Sequence, residues 1–288
     1  MFDSPNMAHA DPLRVALQVG LYIFFYSLFL WLVVMSGLPL FLGLWAGSAF
    51  GVFVAAVFTN VLTLRIYEGR HLSDIGFHWR PASRWNLGWG LAGGVLGALA
   101  VVAGPLGVRA ASMQASADAE AHWRSFVFIT VILILGAAGE EMLFRGYGFQ
   151  VLLRSIGPFA TILPVGVVFG ALHLANPHVT RLGVINTAGF GILFGYAFLR
   201  SRDLWLPFGL HFGWNFTMPW FGTVLSGIRM GVTGFELQWH AGPLWSGGEY
   251  GPEASILTSG VLVLLFLFVW KAPIRPQPNL LLDEPVES

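Results

Sequence analysis

Gly139-Glu140-Glu141-Met142-Leu143-Phe144-Arg145-Gly146 decides the fold, because it closes a run of fifteen residues, Ser125 to Gly139, with no charged side chain. An ionisable residue near the centre of a membrane helix costs about 2.5 to 3.5 kcal/mol on insertion scales, so an adjacent pair must face a protein interior or a wet cavity. The other acids do not raise this problem. Of fifteen Asp and Glu, thirteen fall in loops, tails or span ends, and only Glu140 and Glu141 lie inside an apolar helix.

Outward from this stretch the chain reads as an all-α, polytopic transmembrane bundle of about eight spans. Its 288 residues are 56% hydrophobic and 10% charged, with a mean hydropathy of +0.69, against about 25% charged in soluble proteins. The apolar runs are continuous and about twice the length of a barrel strand, which excludes a membrane β-barrel. The expected spans are Val15 to Ser36, Pro39 to Leu64, Asn86 to Val108, Ser125 to Leu153, Pro158 to Asn176, Leu182 to Leu199, Leu204 to Val224 and Ala254 to Trp270. Met1 to Pro12 lacks the basic region of a signal peptide, so the first apolar run is expected to stay as a span. Residues 1–288 form a single integral membrane domain, with neither an internal repeat nor a soluble domain.

With both termini cytoplasmic, eleven basic residues face the cytoplasm and four, Arg109, Arg124, Arg181 and Arg229, face outward. That bias is the one the positive-inside rule requires. Fourteen arginines to one lysine point to a GC-rich prokaryote and hence to its cell membrane. The polar stretch Arg65 to Arg84, with Trp79 and Trp85, suits anchoring at headgroup depth. Gly90 with Gly94, Gly93 with Gly97, and Gly191 with Gly195 mark close helix approach.

Zero net charge implies no nucleic-acid partner. With no cysteine there is no disulfide framework, thiolate zinc site or cysteine nucleophile.

Of eight histidines, only His173 and His211 sit inside spans. Residues four apart share a helix face while adjacent ones diverge by about 100°. Glu141 can therefore pair with Arg145, which frees Glu140, and His211 presents an imidazole one turn from the Asn215 amide. Glu140 is a candidate general base, and Asn215 with a histidine can stabilise an oxyanion. Blander roles exist for each residue alone: a packed histidine, an asparagine bonding between helices, an ion pair bracing one helix. Their joint occurrence on three spans favours chemistry.

The order Glu-Glu-x-x-x-Arg (Glu140, Glu141, Arg145), Phe-x-x-x-His (Phe169, His173) and His-x-x-x-Asn (His211, Asn215) resembles the CAAX protease and bacteriocin-processing (CPBP, or Abi) family of intramembrane endopeptidases. The resemblance covers about Phe126 to Phe216, making residues 125–216 the catalytic core. It implies hydrolysis of a peptide bond in the membrane, with Glu140 and His173 activating water, His211 and Asn215 as the oxyanion site, and Glu141 and Arg145 in support. It also implies a membrane protein or lipidated peptide as substrate, without naming one. Zinc held by Glu140, His173 and His211 is an acceptable donor set. The chain has no His-Glu-x-x-His pair, however, and a metal-free dyad is preferred. A non-catalytic scaffold or immunity protein that retains the motifs is the alternative. A transporter is a more distant one, since both acids share one helix and no repeat is present.

At about 1.5 Å per residue, Glu140 lies roughly 24 Å from Arg124 and His211 roughly 10 Å from Leu204, whereas His173 lies roughly 24 Å from Gly157. This mismatch predicts a fifth helix that starts near Ile162 or tilts at Pro164, and a cavity open toward the cytoplasm.

Overall fold

A computed structural model describes residues 11–116 and 123–283. The opening residues, His9 and His122 lie outside that range. Each expected span contains a helix, although the seventh, expected to reach Val224, is α-helical only to Thr217 and ends in a strand. In chain order these are α1 (Pro12–Met35), the short α2 (Leu38–Leu42), α3 (Leu44–Tyr67), α4 (Pro81–Gly107), α5 (Trp123–Arg145), α6 (Tyr147–Ile156), α7 (Pro158–Leu172), α8 (Arg181–Ser201), α9 (Trp205–Thr217), the one-turn α10 (Pro243–Ser246), α11 (Ile256–Lys271) and the one-turn α12 (Leu280–Asp283). Among the described residues six segments, with α5 and α6 taken as one, are long and apolar enough to cross a membrane. Helices α9 and α11, at 13 and 16 residues, are shorter.

The boundaries depart from expectation where polar groups intervene. The fourth span breaks at Gly146 instead of running on to Leu153. At the break Asn60 of α3 accepts the Tyr147 N–H (2.8 Å) and donates to the Met142 carbonyl (3.1 Å), replacing backbone bonds the helix gives up. Any Cβ on Gly146 would strike the Asn60 amide. The second span is likewise split, at Gly43, whose φ of +83° suits glycine. The segment between α9 and α11 is not all loop. Strands β2 (Val224–Leu225) and β3 (Ile228–Arg229) form a small hairpin, while β4 (Phe235–Trp239) pairs antiparallel with β1 (Ala111–Ala115), between α4 and α5.

The glycine pairs mark backbone contacts that seat the site-bearing helices. A Cβ on Gly94 would meet the Leu210 carbonyl and Trp214 nitrogen of α9, and one on Gly213 would meet Leu91 and Val95 of α4 at 2.9 to 3.3 Å. Helices α4 and α9 thus touch through their main chains, as small-residue spacing allows. Gly191 of α8 faces Gly166 of α7 in the same way, and Gly139 of α5 abuts Phe53 of α3.

At the end holding Gly157 and Leu204, Asp203 fixes the start of α9. Its carboxylate accepts from Asn86 Nδ2 (2.8 Å), Gln277 Nε2 (2.6 Å) and the Trp205 and Leu206 N–H groups (3.2 and 3.3 Å). Gln277 also donates its backbone N–H to the Ser201 carbonyl (2.9 Å), which ties the chain after α11 to the turn before α9.

Candidate active site

The acidic pair divides as helical geometry requires. Glu141 and Arg145 are fully buried, and Glu140 keeps 28% of its side chain exposed. Arg145 Nη1 lies 3.4 Å from Glu141 Oε1, as the four-residue spacing predicts, and Nη2 donates to the Gly191 carbonyl at 2.6 Å. The rings of Phe144, Phe169 and Phe194 surround the guanidinium at 5.3 to 5.7 Å from their centroids. A cation in such an apolar cage is held by cation–π attraction as well as by its carboxylate.

Glu141 has a second partner that the sequence did not disclose. Its Oε1 accepts from His211 Nδ1 at 2.9 Å. With the Nδ1 proton committed to a carboxylate, neutral His211 presents Nε2 as an acceptor. Nε2 faces Glu140 Oε2 at 3.8 Å, beyond hydrogen-bond distance. The ring of Phe194 stacks on His211, with centroids 4.9 Å apart and planes 14° from parallel. The imidazole is therefore fixed from its face and from one edge, and its other edge turns toward Glu140.

His173 sits at the C-terminal end of α7, where the helix tightens into the turn His173–Ala175. Its Nδ1 donates to the Phe169 carbonyl at 2.8 Å, which leaves Nε2 as the acceptor in the neutral ring. Phe169, the other fixed residue of that motif, packs against both imidazoles, at 4.9 Å from His173 and 6.1 Å from His211.

Glu140, His173, His211 and Asn215 all border one cavity of about 520 Å³, a volume in the range of small-ligand sites. One side of α5, from Ile132 through Gly136 to Glu140, forms a wall, and the start of α3 at Leu44 and Trp45 forms another. Asn176, Pro177, Ser226 and Met230 line its far part. These belong to the end of the bundle opposite Gly157 and Leu204, the end bearing Arg181 and Arg229. The cavity thus extends toward the side with few basic residues, and not toward the expected cytoplasmic side. Counting rise along straight helices gives axial position only. Phe194 also lines the cavity, and Glu141 and Arg145 are fully buried beside it. Helix α7 starts at Pro158, so the shortened start near Ile162 does not occur; Pro164 lies within the helix.

Glu253, a span-end acid by sequence, lines the same cavity and is buried. It lies in the turn Pro252–Ala254 before α11, and no spacing rule links it to α9. The contact arises from how the chain between α9 and α11 folds back.

Among the described residues no group of three His, Asp or Glu side chains is placed to hold a metal ion, so Glu140, His173 and His211 are not assembled as a zinc set. The bond from His211 Nδ1 to Glu141 does not itself oppose a metal, since a metal-bound imidazole commonly donates its other nitrogen to a carboxylate.

A helical, polytopic membrane protein with acids and imidazoles converging on an internal cavity is the class these features define. Within it, residues 122–217 match the family described as Rce1-like, type II CAAX prenyl endopeptidase Rce1-like, in agreement with the CPBP resemblance read from the three motifs. The uncharacterized protein YyaK of Bacillus subtilis (strain 168) is 26% identical over 119 residues, which are 40% of this chain and 40% of that protein.

Proposed function

We propose that the chain is an intramembrane endopeptidase that hydrolyses a peptide bond of a membrane protein or lipidated peptide in the cell membrane of a prokaryote, without a metal. The observation that carries this reading is that Glu140 faces the oriented imidazole of His211 on the wall of a cavity that His173 and Asn215 also line. The match to an endopeptidase family over this segment supports it.

In this mechanism Glu140 takes a proton from water as the water oxygen adds to the substrate carbonyl carbon. His173, through its unprotonated Nε2, helps to hold that water. The tetrahedral oxyanion is met by the Asn215 amide and by His211 in its imidazolium form, whose Nε2 then donates. Glu140 then returns the proton to the leaving nitrogen as the C–N bond breaks, so the step consumes one water and releases one amine and one carboxylic acid. Glu141 positions His211, and Arg145 balances the charge of Glu141. The eight-span topology with cytoplasmic termini is retained in this proposal, which directs the cavity toward the outer side.

The test is proteolysis by purified protein in proteoliposomes, using a degenerate mixture of apolar peptides with cleavage read by mass spectrometry. The wild type is expected to cut and Glu140→Gln to be inert while melting like the wild type. Cleavage by Glu140→Gln at the wild-type rate would remove the proposal and favour the scaffold alternative.

A further inference from the structure

Glu253 places a second partly enclosed carboxylate on the cavity wall, and its fixation is unusually complete. Oε1 accepts from Trp214 Nε1 at 3.2 Å, and Oε2 accepts from the backbone N–H and hydroxyl of Ser226 at 2.6 and 2.7 Å. Asn186 of α8 donates to the Glu253 carbonyl at 2.8 Å. Ser226 sits at the turn of the β2–β3 hairpin with a φ of +50°, a conformation disfavoured for a serine. Trp214 immediately precedes Asn215 on α9. Glu253 therefore joins the hairpin to the site-bearing helix while remaining part of the cavity lining.

The charges that border the cavity are one-sided. Among the described residues its lining includes the acids Glu140 and Glu253 and the imidazoles of His173 and His211, but no Lys or Arg. Arg145 is fully buried and bonded to Glu141 and Gly191, so it offers no cation to a ligand. A carboxylate entering this space meets two like charges and no Lys or Arg to offset them. At an effective dielectric of about 20, a like charge about 10 Å away weakens association by the order of tenfold.

We infer that Glu253 is a specificity-determining residue that keeps substrate carboxylates out of the cavity, so that the bond cut lies within an uncharged or cationic peptide segment and not beside a free C-terminal carboxylate. This rests on the peptidase reading and narrows its substrate class. A membrane-embedded internal segment meets the requirement. So does a lipidated chain whose carboxylate stays outside the cavity.

Two otherwise identical mixtures of apolar peptides, one ending in free carboxylates and one in amides, test the inference with full-length protein in nanodiscs. Wild-type protein is expected to cut near amide ends about tenfold or more faster than near carboxylate ends, and Glu253→Gln to narrow that difference to about twofold or less. Ser226→Ala, which removes one hydrogen bond to Glu253 and keeps the charge, is expected to retain the preference. Equal cutting near both kinds of end by the wild type overturns the inference, and an unchanged preference in a folded Glu253→Gln removes Glu253 from it. If Glu253→Gln does not fold, the wild-type comparison decides alone. Absence of cleavage in both mixtures refutes the peptidase reading instead. Retention of the two mixtures on wild-type protein, read by mass spectrometry, then tests the charge preference separately: equal retention overturns it.

Discussion

Two buried acidic networks grip α9, and they differ in how completely they are satisfied. At the start of the helix both oxygens of Asp203 receive donors, from Asn86, Gln277, Trp205 and Leu206. Midway along it, the network of Glu140, Glu141, Arg145 and His211 leaves Glu140 Oε2, Glu141 Oε2 and Arg145 Nε with no protein hydrogen-bond partner. Native proteins pair nearly all buried polar groups, so a saturated carboxylate is held in place, and an incomplete network is a place where proton transfer is held ready. On this contrast Asp203 is expected to serve stability and Glu140, in the proposed mechanism, function, although both are carboxylates close to the same helix.

Substitutions that keep size and change charge test this contrast most directly. The largest effect is expected on the cavity wall: Glu140→Gln, within the incomplete network, and the truncation His173→Ala beside it should each lower turnover by about 10² to 10⁴, the range for loss of a general acid–base group. Unfolding midpoints in detergent should stay near the wild type, and a large fall in either midpoint would make these residues structural.

Glu141→Gln stands between the two classes. It leaves Arg145 buried without its carboxylate and His211 without a charged partner, so it should cost about 3 to 5 kcal/mol of stability, the usual penalty for breaking a buried pair. It should lower turnover as well, and parallel unfolding and rate measurements would show whether both change.

Asp203→Asn reverses the expectation for Glu140. An amide nitrogen set among four donors should cost about 1 to 3 kcal/mol, read by denaturant unfolding, while turnover per folded molecule remains close to wild type. A folded but inactive Asp203→Asn would erase the distinction between the networks. The smallest effect is expected from chelators: prolonged treatment should leave turnover unchanged, and elemental analysis should find no stoichiometric zinc. Loss of activity restored by added zinc would overturn the metal-free mechanism.

Much of the molecule was legible before any coordinate. Continuous apolar runs mark the helices because an unsatisfied backbone in lipid is so costly that only helices and closed barrels remain available. The spacing of Glu141 and Arg145 set their pairing, and the glycine pairs announced close approach, since each of these is a local consequence of 3.6 residues per turn. The break at Gly146 was not legible, because it depends on Asn60, which lies 87 positions before its partner Tyr147. Nor was the bond from Glu141 to His211, since periodicity within one helix says nothing of which atom on another it meets.

The candidates for the chemistry were legible in the sequence alone, because an acid pair and two histidines inside apolar spans are costly in lipid. Tertiary structure decided their relations. It turned Glu141 into the partner of His211, brought Glu253 into the cavity from a distant turn, and directed that cavity toward the end with few basic residues. Such outcomes follow from packing between elements far apart in the chain, where shape and hydrogen-bond satisfaction choose among arrangements that hydrophobic pattern leaves equivalent.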